Sequence, residues 1–99
     1  MFDISTVNKR YFEIRINGKL LEVEPPKVKT LKKVVSLSKV SGEEALDELA
    51  EAVRLILNKN KSRTSVTIDL VDELDLDQMN EIILKYFEWL DSSKNSPNL

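Results

Sequence analysis

The chain has 99 residues, of which 41% are hydrophobic and 32% are charged, with a formal net charge of -2 and no cysteine or histidine. This length predicts a single domain, because about 100 to 200 residues per domain is usual. The missing cysteine and histidine exclude thiol catalysis, disulfide frameworks, zinc fingers and imidazole acid–base chemistry. With only 2 glycines, the sequence also has no glycine-rich phosphate loop. No apolar stretch approaches the ~20 residues that span a bilayer, so we expect a cytoplasmic protein. The composition as a whole predicts that it is not an enzyme and holds no cofactor or metal.

The charges are distributed unevenly along the chain. Residues 1–39 carry nine basic and four acidic side chains, a net charge of +5, whereas residues 65–99 carry two basic and eight acidic side chains, a net charge of -6. Such polarity is typical of solvated helix faces. It also permits contact between the two ends within one fold, head-to-tail self-association, or the presentation of one charged face to a partner.

The N-terminal part of the chain predicts a β-hairpin. Residues 1–10 show no sustained period and indicate an arm or a lead-in strand. Alternating apolar residues then surround Asn17-Gly18, a pair that favours a two-residue type I′ turn. That turn would pair Ile16 with Lys19, Ile14 with Leu21, and Phe12 with Val23. The apolar face of the hairpin must be covered by helices or a larger sheet, because a lone hairpin is marginally stable. Its residues are Phe12, Ile14, Leu21 and Val23, and the opposite face carries Glu13, Arg15 and Glu22.

Two helices are predicted after Pro25-Pro26, which ends the second strand because proline cannot donate a ladder hydrogen bond. The first helix runs from Lys27 to about Val40. The second begins at a capping-box pattern, Ser41–Glu44, and ends near Asn58. The apolar side of the first helix has Val28, Leu31, Val34, Val35 and Leu37, and its other side has Lys29, Lys32, Lys33 and Lys39. The core stripe of the second helix is Leu46, Leu49, Ala50, Val53, Ile56 and Leu57.

The rest of the chain predicts a loop, a short helix and a last long helix. Residues 58–65 are polar and indicate the loop, while residues 66–74 favour the short helix, with a strand as the alternative. Asp75 and Gln78 form a weaker capping signal for a helix from about Leu76 to Asp91, and residues 92–99 predict a disordered tail. The core stripe of this helix is Leu76, Met79, Ile82, Ile83, Tyr86, Phe87 and Leu90, with Trp89 at its edge. The predicted fold is therefore α+β, an N-terminal hairpin followed by a small bundle of three main helices in one domain at residues 11–91.

A dense acidic run could be read as a catalytic or calcium-binding site. No nucleophile or substrate-positioning motif accompanies the run, and a calcium loop would need a central glycine that it lacks. Such a run is typical of solvated side chains that help to cap the following helix. Its residues are Asp69, Asp72, Glu73, Asp75 and Asp77.

The lysine face of the first helix is one candidate contact surface. Lys29, Lys32 and Lys33 could contact phosphates or dock on an acidic protein surface. However, this helix has no arginine to read guanine and no interleaved aromatic residue for stacking on bases. The sequence pI of about 5.2 also differs from the basic value typical of nucleic-acid-binding domains. Nucleic acid is therefore the less favoured partner.

Three apolar side chains are further candidates for partner contacts. Leu55 and Leu84 each fall on the polar side of their helices, among acidic residues. A leucine there can anchor a partner, because its burial contributes ~1.5 to 3 kcal/mol of binding free energy. Single exposed leucines are nevertheless ordinary on monomers. Trp89 is ambiguous in the same way, since tryptophan is enriched at interface hot spots but is also common at core edges.

Residues 11–91 resemble the tail assembly chaperones encoded by long-tailed (siphovirus-type) bacteriophages and prophages of Gram-positive bacteria. The resemblance lies in the order of four segments and in no single diagnostic residue. These segments are the Tyr11–Val23 hairpin, the junction Glu24-Pro25-Pro26 with the helix start Lys27–Lys33, the stretch Ile56–Lys61, and the closing helix Met79–Leu90 with Tyr86-Phe87-Glu88-Trp89-Leu90.

This resemblance implies a non-catalytic role in virion assembly. Members of the family coat the long helical tape measure protein, keep it soluble, recruit tail tube subunits and are absent from the finished tail. The expected partners are therefore a tape measure protein and a tail tube protein, and the uneven charge distribution adds self-association as a further expectation. The alternatives are a small nucleic-acid-binding regulator that uses the lysine face, and a structural head–tail component.

Overall fold

The computed structural model describes residues 1–6, 10–39, 42 and 44–92. Within these ranges an antiparallel two-stranded hairpin is followed by four helices, which confirms the predicted α+β class. The chain opens with a 3₁₀ turn, Ile4–Thr6, where the Asp3 carboxylate accepts hydrogen bonds from the Ser5 amide (3.0 Å) and hydroxyl (2.7 Å). The rest of the predicted arm or lead-in strand, apart from residue 10, lies outside the described residues.

The hairpin forms in the predicted register. Strand β1, Phe12–Ile16, pairs with strand β2, Lys19–Val23, so that Phe12 lies opposite Val23 and Ile16 opposite Lys19. Asn17 and Gly18 adopt φ values of 52° and 76°, the left-handed geometry that a type I′ turn requires at both central positions. The predicted apolar face points toward the helices, with Leu21 and Val23 buried. The opposite face carries the exposed Glu13 and Arg15.

The polar segment after the second helix covers the outer edge of β2. The Glu24 amide donates to the Lys59 carbonyl (2.8 Å), and the Lys61 amide donates to the Glu22 carbonyl (2.9 Å). Asn60 lies between them and is only 3% exposed, although it is polar. Its Nδ2 donates to the carbonyls of Leu57 and Thr64, both at 2.8 Å, and its Oδ1 accepts from the Thr64 amide at 2.8 Å. The predicted loop therefore has a defined path across the edge of β2, and the buried Asn60 side chain helps to hold it there.

Helices α1, Val28–Ser38, and α2, Ala45–Asn58, pack against each other. The predicted cap at Ser41 lies outside the described residues, and α2 begins at Ala45 with Glu44 at its N-cap position and no side-chain capping bond. The start of this helix was therefore predicted about three residues too early. Ala52 is fully buried although the predicted stripe omits it. It precedes Leu55 by three residues, on the side of α2 that adjoins α1.

Three residues predicted for the core are exposed. Val28 is 68% exposed, because it stands in the first turn of α1 and lies about 120° around the helix from the buried Val34. Leu46 is 53% exposed and Leu76 is 47% exposed. Both leucines stand in the first turn of their helices and border one shallow hollow that also touches Leu37. Their angular positions agree with the stripes, but the core stops short of this end of the bundle.

The two C-terminal helices follow the predicted order. Helix α3, Ile68–Asp72, confirms the short-helix interpretation of residues 66–74, and the Thr67 hydroxyl accepts from the Leu70 amide at 3.3 Å. Helix α4, Leu76–Ser92, starts with a reciprocal cap. The Gln78 amide donates to the Asp75 carboxylate (2.7 Å), and the Asp75 amide donates to the Gln78 side chain (2.9 Å). The weak capping signal is thus confirmed, while residues 93–99 of the predicted tail lie outside the described residues.

An aromatic cluster joins the hairpin to α4. The Tyr86 ring is 1% exposed and meets Phe12 edge-on with their centroids 5.8 Å apart. Trp89 lies 5.7 Å from Tyr86 and 5.8 Å from Phe12. Edge and tilted geometries of this kind stabilise a core beyond the area that they bury.

Burial raises the pKa of Tyr86 to about 12 from its ordinary value of 10.0. The folded state therefore holds the phenol proton more tightly than the unfolded state, and its stabilising contribution is complete below pH 10. As the pH rises from 10 to 12, we expect the free energy of unfolding to fall by about 1.4 kcal/mol per pH unit on account of this group. Denaturant titrations at several alkaline pH values would measure the slope, and the Tyr86→Phe variant should lack this part of it.

Candidate functional site

An open groove between α1 and α2 brings four of the predicted contact residues together. It has a volume of about 630 Å³ and is lined by α1 residues Lys29, Thr30, Lys32 and Lys33 and by Leu55 of α2. The three lysines share one face of α1, because residues three and four apart are neighbours on a helix. We call this surface the lysine groove.

The lysine groove is positively charged. Lys29, Lys32 and Lys33 are exposed, and none of them joins a salt bridge with another described residue. On α2, by contrast, the charge of Arg54 is matched by Glu51, whose Oε1 accepts from the Arg54 Nε at 2.9 Å. The hydrogen bond to Glu51 raises the pKa of Arg54 above its usual value. The groove therefore offers three uncompensated cations around an apolar side chain.

Leu55 differs from its sequence-based interpretation. The helical wheel places Leu55 on the polar side of α2, among acidic residues. In the fold it is half-buried, packs against the core and lies next to α1. The reason is that α1 covers this side of α2, and its lysines stand around the leucine. Leu55 thus contributes the apolar floor of the lysine groove.

Leu84 and Trp89 lie away from the lysine groove. Leu84 is 51% exposed on the outer face of α4, as its position among polar residues predicts. Trp89 is half-buried and belongs to the aromatic cluster, which gives it a structural contact within the chain. The structure therefore unites the three lysines with Leu55 and separates them from the other two candidates.

Arg10 makes a structural contact that the sequence pattern does not indicate. Its guanidinium lies 4.4 Å from the Trp89 ring centroid and donates to the backbone carbonyls of Trp89 (2.7 Å) and Leu90 (3.1 Å). A cation near the carboxyl end of a helix is favourable because the terminal carbonyls carry partial negative charge. Arg10 thereby fastens the start of the domain to the last turns of α4.

Replacing Arg10 by alanine should loosen this contact. We expect a loss of about 1 to 2 kcal/mol of stability, because the stacked cation and two carbonyl hydrogen bonds disappear together. Trp89 is the single tryptophan of the chain, so its fluorescence should shift to longer wavelength as its ring meets water. The Arg10→Lys variant keeps the charge but not the planar guanidinium, so its stability and emission wavelength should lie between those of the wild type and Arg10→Ala. An unchanged emission spectrum in Arg10→Ala would contradict this account.

The acidic run does not form a compact carboxylate site. Asp69, Asp72 and Glu73 are exposed around α3, and Asp75 serves as the cap of α4. Among the described residues, no group of three or more acidic side chains is placed to hold a metal ion. What the structure shows of this run is the Asp75 cap of α4 and a set of exposed carboxylates.

Along the described ranges, none of the helices combines the length and apolar character needed to cross a bilayer. Comparisons of the chain with protein-family models, with curated proteins and with solved structures found no match.

Proposed function

We propose that this chain is a tail assembly chaperone of a long-tailed bacteriophage or prophage. In this role it binds the tape measure protein and tail tube subunits during tail morphogenesis, in the cytoplasm of the bacterial host, and transforms no substrate. The proposal rests on the resemblance of residues 11–91 and on one structural observation, the lysine groove.

The lysine groove suits an amphipathic client helix. Helix-in-groove recognition needs an apolar floor for the client's apolar stripe and polar rims that set its orientation. Leu55 supplies the floor, and the exposed Lys29, Lys32 and Lys33 supply a cationic rim. A client helix with acidic residues flanking its apolar stripe would match both. The groove is open and its floor is narrow, which favours reversible shielding of the client.

The resemblance and the groove meet in the same stretch of sequence. The junction Pro25-Pro26 and the helix start Lys27–Lys33 carry part of the family likeness, and this stretch supplies the cationic rim. Pro25-Pro26 lies between the end of β2 and the start of α1, so it separates the strand from the helix that carries the lysines.

Co-expression with a tape measure protein tests the proposal. The client should be the product of the large reading frame that follows the gene for this chain in its phage or prophage. We expect the tape measure protein to move from the insoluble to the soluble fraction when the chain is present. The tail tube subunit from the same gene cluster should join the complex, and purified tails should lack the chain.

The outcomes separate the chaperone from its alternatives. A tape measure protein that stays insoluble in the presence of folded chain would refute the chaperone role. Recovery of the chain in stoichiometric amounts from finished particles would instead indicate a structural head–tail component.

The unpaired lysines also support a second candidate function, a nucleic-acid-binding regulator. Each lysine that neutralises a phosphate steepens the salt dependence of binding, by a slope of about -0.9 per contact on duplex DNA. A gel shift that weakens with salt at a slope near -3 would favour this candidate, whereas no shift at low salt would remove it.

A further inference from the structure

The two edges of the hairpin differ in their backbone partners. The outer edge of β2 is covered by residues 59–61, which accept from Glu24 and donate to Glu22. The outer edge of β1 has no backbone partner among the described residues. An uncovered strand edge is a template for pairing with another strand.

The register shows which groups this edge offers. Ile16 and Lys19 flank the two-residue turn and exchange backbone hydrogen bonds, so alternate residues of β1 face β2. Glu13 and Arg15 consequently direct their N–H and C=O groups outward. The same parity is seen on β2, where Glu22, opposite Glu13, directs its carbonyl outward to the Lys61 amide.

Space for another strand lies beside this edge. An open groove of about 490 Å³ lies between β1 and the first half of α4, and its helical wall is formed by Gln78, Glu81, Ile82 and Lys85. On the other wall stand the half-buried Phe12 and Ile14. An added strand would cover apolar surface here as well as satisfy the outward backbone groups.

We propose that the occupant is β1 of a second copy of this chain, so that two hairpins form a four-stranded antiparallel sheet about a two-fold axis at Ile14. In this register Glu13 lies opposite Arg15 of the second copy, and Arg15 lies opposite Glu13 of the second copy. Glu13 and Arg15 are also the residues with outward backbone groups, so hydrogen-bond parity and charge pairing select the same alignment.

The charges within a single copy support this pairing. Glu13 lies opposite Glu22 in the hairpin, a like-charge arrangement that is unfavourable across two strands. Neither Glu13 nor Arg15 joins a salt bridge with a described residue. Arg15 of the second copy supplies the cation that Glu13 lacks in one copy.

Sedimentation equilibrium of the purified chain over a concentration series tests the proposal. The wild type should approach twice the monomer mass of 11.4 kDa. The Glu13→Arg variant should dissociate at least about 10-fold more readily, since both symmetric pairs become repulsive. The Arg15→Glu variant should do the same. Asp72→Arg on the exposed end of α3 adds the same charge as Glu13→Arg and should dimerise like the wild type.

Mixing the two weakened variants gives the sharpest result. A Glu13→Arg chain places two arginines opposite the two glutamates of an Arg15→Glu chain. The mixture should therefore form a heterodimer that is more stable than the homodimer of either variant. The double variant Glu13→Arg/Arg15→Glu should recover the homodimer. Hydrogen exchange should show that the Glu13 and Arg15 amides are protected in the dimer and exposed in the monomeric variants.

Loss of folding is not a confounding outcome for Glu13→Arg. This variant replaces the Glu13–Glu22 repulsion by an attraction, so the isolated hairpin should become more stable while the dimer weakens. Three results would overturn the proposal: a wild type that is monomeric up to about 1 mM, where even weak association becomes visible, a dimer that survives Glu13→Arg, or a mixture that stays monomeric.

Discussion

The double variant Lys29→Glu/Lys33→Glu should lose the ability to keep a tape measure protein soluble. These two side chains lie on the rim of the lysine groove and have no salt-bridge partner among the described residues. Reversing them turns attraction for an acidic client into repulsion, and we expect affinity to fall at least about 10-fold at low salt. The loss should shrink as salt is added, because exposed charges are screened over a Debye length of about 8 Å at physiological ionic strength.

Folding should survive this change. Helix α1 has no acidic residue in its first turn, so Glu at position 29 would improve its interaction with the helix dipole. Position 33 is an exposed helical site where glutamate is a good helix former. The defect should therefore appear in client binding, measured by titration of the client against folded variant.

A matched variant separates groove contacts from net charge. Lys19→Glu/Lys39→Glu changes the charge of the chain by the same amount at exposed positions that do not line the lysine groove. We expect it to bind the client nearly as well as the wild type. Equal losses in the two double variants would show that overall charge, and not the groove, attracts the client.

The Asn60→Ala substitution should lower the free energy of unfolding more than the Arg10→Ala substitution does. The Asn60 side chain is buried and makes three hydrogen bonds of 2.8 Å to backbone groups of Leu57 and Thr64. Alanine would leave those backbone groups without partners, at a cost of about 3 kcal/mol or more. It would also release residues 59–61 from the outer edge of β2, where Asn60 bridges to Val23. Urea unfolding should show a midpoint lowered by at least about 1 M.

Asn80 provides the control for this prediction. It is exposed on α4, so Asn80→Ala should change the free energy of unfolding by no more than about 0.5 kcal/mol. A similar midpoint for Asn60→Ala and Asn80→Ala would contradict the structural role given to Asn60.

Local signals predicted much of the fold. Asn17-Gly18 determines its own turn geometry, so the pairing of Phe12 with Val23 followed from counting outward from the turn. The cap formed by Asp75 and Gln78 could be predicted from their identities and their spacing of three residues. Both features depend on contacts within a few residues, which a sequence displays directly.

Features that depend on packing between elements were harder to predict. The helical wheel assigns Leu46 and Leu76 to the core by their angle, but it does not show where the core ends along each helix. The helical wheel of α2 places Leu55 toward solvent because it contains no information about the position of α1. The burial of Asn60 and the contact of Arg10 with α4 likewise arise from segments distant in sequence.

Four residues of the lysine groove could be named from the sequence, but their arrangement could not. Lys29, Lys32 and Lys33 were expected to share a face, since helical spacing determines that. The contact of these lysines with Leu55 depends on the packing of α1 on α2. Leu84 lies on the outer face of α4, away from this contact. The sequence also does not show which hairpin edge residues 59–61 cover, so it does not reveal that the outer edge of β1 has no backbone partner among the described residues.

The most direct test of the chaperone account is site-specific photo-crosslinking from the floor of the lysine groove. A photoreactive amino acid at position 55 should capture the tape measure protein in cells during tail assembly, while the same amino acid at the exposed position 72 should not. The crosslink should be absent from finished tails, because the client has by then been passed to the tube. Equal capture from positions 55 and 72, or no capture of any polypeptide from position 55 in cells that assemble tails, would contradict the account.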